Sequence, residues 1–422
     1  METVEKKKLW HPAFGVFIAC FLMFGVHGGI IAGCYGNMLK PMAAGLGVEY
    51  SQVSLYGTIY NYTMVIGLFV VGYLYKKFDA KILCIIGLCI ETIAYSCISF
   101  VTTLPLFYVL AVLVACGASL IIYTPVPLLM SRWFKKNFGL FFGITIAGSG
   151  VVTTIVSPIV GGWVKAGGWQ CGWRNAGILG FILSVPIVIL LLKSSPEKAG
   201  CKAFGETDEA PDNAVKTPAA AAPAEKLGIG KILGSGVFWL LVVFCGLESI
   251  SCYTQPHISS YAQTVGLDAV AAGACVSTIA VGSIFGKILL GWLKDRIGPV
   301  IATVIAMVVG AIAILLIRFG ASNYTALYAG CVLFGMSLYS ANTALTPLIG
   351  RDAISKDNFA QTWSYVSALN KLISANAVWL YGKIFTATGS FDAVFTTAFI
   401  CVVVSCVAGL FAIKVGRKGQ TA

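Results

Sequence analysis

Charged residues are scarce in this chain of 422 residues, because Asp, Glu, Lys and Arg together make up 11% of it. Soluble domains normally carry about a quarter. Hydrophobic residues make up 58%, and the mean hydropathy is +0.87. A soluble fold of this length cannot bury so much apolar surface, so we expect the chain to lie in a lipid bilayer.

Motifs for catalysis and for cofactor or metal binding are lacking as well. The chain has no HExxH, GxSxG or phosphate-binding loop, and it has 3 histidines. The 14 cysteines are scattered, mostly within apolar runs, and none forms a CxxC pair. The sequence therefore predicts neither an enzyme nor a metal or cofactor site, and it predicts that any energy source is a solute or ion gradient.

Apolar runs long enough to cross a bilayer recur along the whole chain. A helical span needs about 20 residues, and the sequence predicts twelve: 13–34, 54–74, 81–101, 105–130, 139–163, 174–193, 236–257, 269–290, 299–317, 325–348, 361–382 and 392–413. We expect an all-α membrane protein.

The net charge of +12 does not indicate a nucleic-acid partner, because the basic residues lie mainly in short segments between spans. If the amino terminus is cytoplasmic, 22 of the 29 Lys and Arg residues lie on the cytoplasmic side and 5 on the other. This bias predicts that both termini lie in the cytoplasm. The lack of long external loops favours a multi-pass protein of the plasma or inner membrane.

Residues 194–234 are rich in Ala, Pro, Lys, Glu and Asp, which is typical of a flexible, solvated linker. We predict a six-helix bundle over 1–193, a cytoplasmic linker over 194–234 and a second bundle over 235–422. Three short matches at offsets of about 220 residues indicate that the halves arose by duplication. They pair Gly72-Tyr-Leu with Gly291-Trp-Leu, Gly117-Ala-Ser-Leu with Gly335-Met-Ser-Leu, and Asn137-Phe-Gly with Asn358-Phe-Ala.

The loop Gly291-Trp-Leu-Lys-Asp-Arg-Ile-Gly resembles the Gly-x-Leu-x-Asp-Arg-x-Gly signature of the major facilitator superfamily. The resemblance implies twelve transmembrane helices in two pseudo-symmetric bundles, and a conformational latch that includes Gly291, Asp295 and Arg296. In the first copy Lys77 keeps the basic position, but Lys76 and Asp79 depart from the pattern. We therefore expect the first half to latch differently.

A narrower resemblance covers nearly the whole chain. Its motifs are Ser131-Arg-Trp-Phe-Lys-Lys, Gly143-Ile-Thr-Ile-Ala-Gly-Ser-Gly, Gly168-Trp and Trp173-Arg-Asn-Ala. Together they resemble the monocarboxylate transporters and the oxalate:formate antiporters. This implies transport of a small mono- or dicarboxylate by alternating access, through exchange or through coupling to a proton or counter-anion.

Two lysines lie within predicted spans, Lys287 in span eight and Lys371 in span eleven. A charge at mid-membrane costs at least about 3 kcal/mol unless it is paired or hydrated, so such residues are candidates for binding an anion. Lys287 can instead extend to the lipid headgroups. The antiporters carry basic residues on the same two spans, so the resemblance implies that both lysines face the substrate.

Tyrosines and three further polar residues complete the candidates. The resemblance implies that Tyr123 contacts substrate, and we add Tyr339 and Tyr365, although ordinary helix packing or interfacial anchoring explains any one of them better. Ser283 stands where monocarboxylate transporters usually have a proton-coupling Asp. Glu248 and His27 are the alternative proton-coupling candidates, whereas we expect a structural role for Glu91.

The sequence thus predicts a monomeric secondary transporter of a small organic anion. The alternative that it leaves open is efflux of an amphipathic drug or metabolite by the same scaffold.

Gly143 and Ala147 have the spacing that permits close helix contact, and we expect such a contact between helices there.

Overall fold

The computed structural model describes residues 11–122, 124–205, 229–321, 323–354 and 359–421. In these ranges nearly all regular structure is helical. The α-helices are α1 (Pro12–Gly25), α2 (Ala32–Cys34), α3 (Gly36–Leu46), α4 (Tyr50–Lys77), α5 (Ala80–Cys97), α6 (Leu104–Ile121), α7 (Pro125–Trp133), α8 (Phe138–Leu191), α9 (Ile229–Leu233), α10 (Gly236–Cys252), α11 (Gln255–Thr264), α12 (Ala269–Arg318), α13 (Tyr324–Phe334), α14 (Thr346–Ala353), α15 (Phe359–Ala375), α16 (Ala377–Thr388) and α17 (Phe391–Thr421).

Two of these helices are too long for one crossing, and each bends at a glycine. In α8, Gly168 has φ +70°, and in α12, Gly298 has φ +81° and precedes Pro299. Side-chain-bearing residues rarely adopt such a φ, and proline breaks the helical hydrogen bonding. Each helix therefore turns back and supplies two spans. The described chain crosses the bilayer twelve times, six times in each half, which confirms the predicted fold.

Three short π-helical turns interrupt two of the spans. They lie at Val26–Ile31 in the first span, and at Gly335–Tyr339 and Ala341–Leu345 in the tenth. In the first, the Ala32 amide donates to the carbonyl of His27, five residues back. Such turns widen a helix locally and frequently occur at functional sites. His27 lies in the first of these turns and Asn342 in the third.

Close packing of the first and fifth spans depends on glycines other than the predicted pair. A Cβ placed at Gly143 would meet nothing within 4 Å, so Gly143, the first residue of the predicted pair, makes no close helix contact. Instead, a Cβ at Gly28 would lie 2.6 Å from the Cβ of Ser149, and one at Gly25 would lie 2.9 Å from a methyl of Val152. The small residues that permit contact therefore belong mainly to span one.

The first part of the predicted linker is packed rather than solvated. The Phe204 amide donates to the carbonyl of Trp133 at 2.8 Å, and the Phe204 ring contacts Phe14, Phe134 and Phe141. Residues 194–205 therefore extend the first bundle. Residues 206–228, the middle of the predicted linker, lie outside the described residues. We call the end of the bundles near residues 194–205 the linker end, and the opposite one the far end.

Asp79 binds this packed segment at the linker end. It caps α5 through the Lys81 amide at 2.8 Å and accepts hydrogen bonds from Ser194 and Lys198. Partial burial opposes its ionisation. The Lys198 ammonium, the Ser194 hydroxyl and the amide outweigh that effect, so the pKa of Asp79 falls from 3.8 to about 2. Asp79, one of the two residues of the first copy that depart from the superfamily signature, thus joins the start of span three to the end of span six.

We expect Asp79→Asn to lower the melting temperature of the purified protein by about 2 °C. Asparagine can still cap α5, but it lacks the negative charge that binds Lys198, and such an ion pair contributes up to about 1 kcal/mol. The depressed pKa makes the contribution of Asp79 complete above about pH 4 and loses it as the pH falls toward 2. Thermal unfolding in detergent at neutral pH measures the effect. Asp295→Asn is the matched control, because that carboxylate is 78% exposed. An equal shift in both variants would contradict this role for Asp79.

Candidate functional site

A cavity of about 560 Å³ lies between the two halves of the molecule. Spans one and two supply one wall and spans seven, ten and eleven the other. Its polar and aromatic lining consists of His27, Tyr35, Tyr56, Tyr60, Asn61, Tyr253, Gln255, Tyr339, Asn342, Thr343, Ser364, Ser367 and Lys371. The size is typical of a small-molecule site.

Stacked rings form the wall contributed by the first half. Tyr60 stacks on His27 with ring centroids 6.3 Å apart and on Tyr56 at 6.1 Å, and Tyr56 contacts Tyr35 at 5.4 Å. Nδ1 of His27 lies 2.7 Å from Oε1 of Glu91, which is fully buried behind it on α5. The Tyr60 hydroxyl lies 3.4 Å from Nε2. A histidine therefore stands between a buried carboxylate and the cavity.

The second half has a buried carboxylate in a similar place. Asn342 lines the cavity, and its Nδ2 donates to Oε2 of Glu248 at 2.6 Å and to the Ser249 hydroxyl at 2.6 Å. Glu248 is fully buried, and its Oε1 has no hydrogen-bond partner among the described residues. Glu248 thus communicates with the cavity through an amide rather than lining it.

Lys371 is half-buried on α15 and lines the same cavity. Among the described lining residues it is the one with a permanent charge, and none of them is an acid. Lys287 is also half-buried, on α12, but it is not among the described residues that line the cavity. Cys252 also lies on the cavity wall.

The predicted tyrosines divide between different surroundings. Tyr339 lines the cavity, whereas Tyr365, one turn and a half before Lys371, is 38% exposed and is not among the described residues that line it. The structure therefore does not bring Tyr365 to the cavity. Tyr123 lies outside the described residues.

The halves are joined at the far end. Hydrogen bonds cross between them from the Tyr50 hydroxyl to Nδ1 of His257 at 2.7 Å and from Ser157 to the Gly273 carbonyl at 2.9 Å. An ion pair joins Lys165 to Asp268 at 2.8 Å. Further hydrogen bonds between the halves, from Lys40 to the Thr264 hydroxyl at 2.9 Å and from Gln263 to the Asn37 carbonyl at 3.3 Å, lie at this end as well. The cavity is therefore closed toward the far end.

The sequence as a whole matches a family profile with the same architecture. The profile of the Major Facilitator Superfamily matches residues 13–378. The chain belongs to this superfamily. As a superfamily transporter it is similar to mouse monocarboxylate transporter 12, with 28% identity over 219 residues covering 47% of this chain and 43% of that protein. It thus spans less than half of that relative. It is also similar to the MFS-type transporter pytF of Aspergillus terreus, with 23% identity covering 69% of this chain and 90% of that one.

Solved transporters share the fold. A bacterial homologue of the human lysosomal transporter Spinster, in an inward-facing and unoccupied conformation, aligns with a TM-score of 0.73. That alignment has 14% sequence identity and covers 99% of each chain. A mutant of the nucleoside transporter NupG aligns with a TM-score of 0.74 at 12% identity, covering 96% of this chain and all of that one. At such identities the likeness shows the fold alone.

The predicted latch residues of this transporter are separated at the linker end. The Asp295 carboxylate lies 3.9 Å from the neighbouring Lys294, which also reaches Asp352 at 3.5 Å. The Arg296 guanidinium lies over the Trp292 ring, and Lys77 lies over the Tyr73 ring. A Cβ at Gly291 would meet nothing within 4 Å. In this conformation these groups make contacts within their own half.

Sequence reasoning missed Asn342 and gave Glu91 a structural role. Asn342 lies in a span with Ser340 and Thr343, and a cluster of polar residues in an apolar run is a signal that could have identified it. The pairing of Glu91 with His27 has no such signal, because 64 residues separate them and only the packing of α5 on the first span brings them together.

Proposed function

We propose that this transporter carries a small organic anion, a mono- or dicarboxylate, through the cavity between its halves. The observation that carries the proposal is the position of Lys371 in a cavity whose described lining has no acidic residue. A lysine in the wall attracts anions and repels cations, so the cavity favours anionic over cationic substrates. Resemblance to monocarboxylate transporters supports the same class.

Other lining groups suit a carboxylate with an apolar body. Ser364 and Ser367 offer hydroxyl groups on the same wall as Lys371, and the tyrosines opposite offer aromatic surface. Lys287 stays a candidate for a second charge that approaches the substrate in another conformation. Such an approach of Lys287 would require the two bundles to rock about the site.

The direction of the opening follows if the linker is cytoplasmic, as the distribution of Lys and Arg predicts. The structure then has its far end, on the outside, closed and its cavity facing the cytoplasm. Opening outward requires the contacts from Tyr50 to His257 and from Lys165 to Asp268 to separate. The latch residues at the linker end would then come together to close the cytoplasmic side.

Efflux of an amphipathic compound is the second candidate. Met64, Val65, Leu68 and Phe69 extend the lining with apolar surface, which would accept a larger hydrophobic substrate. Such a substrate would not need Lys371, whereas a carboxylate would.

The test uses purified protein in liposomes preloaded with a panel of unlabelled mono- and dicarboxylates. Uptake of each labelled counterpart is followed with and without a pH gradient. We expect saturable uptake of at least one carboxylate, which competing carboxylates inhibit and organic cations do not. If no carboxylate is taken up under either condition, while amphipathic dyes are transported, the anion proposal is wrong and efflux is favoured.

A further inference from the structure

We infer that His27 and Glu91 together form a proton-binding site that couples anion transport to a proton. The inference rests on the proposed anion transport, and it assigns the coupling ion that the cavity alone leaves open. Its basis is the geometry of the pair: a fully buried carboxylate is joined at 2.7 Å to the one histidine in the described cavity lining.

The net charge of the pair changes by one when it takes up a proton. With a neutral imidazole, Nδ1–H donates to an ionised Glu91 and the pair carries one negative charge. With one more proton the pair is neutral overall, whether it is written as imidazolium and carboxylate or as imidazole and carboxylic acid. An uncompensated charge within the bilayer is costly. The protonated pair, which is neutral, is therefore the more stable form when no positive charge lies nearby.

The proton has a route from the cavity to the pair. Because Nδ1 faces Glu91, the other ring nitrogen, Nε2, is the one directed toward the Tyr60 hydroxyl and the cavity. Nε2 is therefore the atom that accepts a proton from water or from the substrate carboxyl. The π-helical turn at Val26–Ile31 places the ring there, and Gly28 and Gly29 let this turn lie directly on Ser149 and Val152 of α8.

Few other groups compete for the proton near His27. From α4, Tyr60 faces the ring, with Tyr56 stacked behind Tyr60, and from α5 Glu91 faces it. The part of α8 against the turn contributes Ser149, Val152 and Thr153, which do not titrate between pH 5 and 8. Across the cavity, the titratable residues are Lys371, Cys252, Tyr253 and Tyr339, with Glu248 behind Asn342.

Coupling follows from the opposite charges that share the cavity. Without substrate, the positive charge of Lys371 offsets the negative charge of the His27 and Glu91 pair. A carboxylate at Lys371 removes this compensation, so proton binding at His27 becomes more favourable. By reciprocity the proton favours anion binding to the same extent. One proton then moves with each monoanion, and the loaded carrier has the same net charge as the empty one.

The transport test compares Glu91→Gln with the wild type. Gln keeps the size of the side chain and a hydrogen bond to His27, but it cannot provide the negative charge. In Glu91→Gln we expect the accumulation of the best-transported carboxylate that a pH gradient drives to fall at least about tenfold. In the wild type, a membrane potential set with potassium and valinomycin should not drive uptake of a monoanion, because the proton cancels its charge. Exchange of labelled for unlabelled carboxylate at equal pH, which needs no net proton movement, should persist in Glu91→Gln. Wild-type accumulation by this variant would overturn the inference.

A second measurement does not depend on transport. The chain has 3 histidines, His11, His27 and His257, so carbon-13 labelling of the imidazole gives three resonances that His→Gln variants assign. We expect the His27 signal to change with pH in the wild type, and this pH dependence to be altered in Glu91→Gln. His257 is the internal control, because neutral groups, Tyr50 and the Val378 carbonyl, hold both of its nitrogens.

The two measurements separate the two proposals. A His27 signal that does not titrate would overturn the proton site even if carboxylates are transported. A titrating His27 whose midpoint depends on Glu91, in a protein that transports no carboxylate, would support the proton site and reject the anion proposal. His11→Gln is the matched variant for both assays, since His11 lies at the start of α1 and caps the Ala13 amide.

Discussion

Lys371→Ala should lower the initial rate of carboxylate uptake at least about thirtyfold, since removing the partner of a desolvated charge typically costs 2 kcal/mol or more. The reason is that Lys371 supplies the permanent charge in the described lining of the cavity. Lys371→Arg keeps the charge and should retain part of the activity. It changes the shape of the donor from a point to a planar fork, so the preference among mono- and dicarboxylates should shift.

Uptake into liposomes, normalised to the amount of folded protein, measures this effect. Lys414→Ala is the matched control, because Lys414 is exposed near the end of α17. The double variant Lys287→Ala, Lys371→Ala distinguishes the two lysines: a further loss beyond Lys371→Ala would show that Lys287 also acts on the substrate. Wild-type transport by the double variant would exclude a central anion site built on these lysines.

Gly161→Val should trap the transporter with its far end open. A Cβ at Gly161 would lie 2.2 Å from the Ala269 carbonyl oxygen, across the interface between the halves. Overpacking costs about 1–3 kcal/mol. Here the cost falls on the conformation in which the far end is closed, because each bundle packs internally without that contact. A shift of this size lowers the ratio of closed to open far end roughly 5- to 150-fold, and transport should fall with it.

Gly162→Val is the control for the far-end variant, since a Cβ at the adjacent Gly162 would meet nothing within 4 Å. Both variants should be inserted and folded. We expect an impermeant maleimide added from outside to label Cys252, on the cavity wall, faster in Gly161→Val than in Gly162→Val or the wild type. Peptide mass spectrometry identifies the labelled cysteine among the 14. Equal labelling in all three proteins would show that the Gly161 contact does not control the far end.

Some features of the site followed from single residues. Lys371 was found from the sequence because a charge in an apolar span is costly wherever the helix faces, and such a charge needs a polar environment. The direction of an individual side chain does not follow in this way. Tyr365 and Tyr339 read alike in the sequence, but helix rotation exposes the first and brings the second to the cavity. The linker boundary shows the same limit, since Phe204 is held by aromatic contacts with distant residues.

The sequence by itself determined that this is a helical membrane protein with twelve spans in two related halves, because the length and apolarity of each span are local properties that the bilayer dictates. It also identified the superfamily through a loop signature. Only the tertiary structure decided which polar residues meet. Glu91 reaches His27, and Glu248 reaches Asn342, across 64 and 94 residues of sequence. Pairings of this kind depend on how whole helices pack and rotate, which no local pattern records.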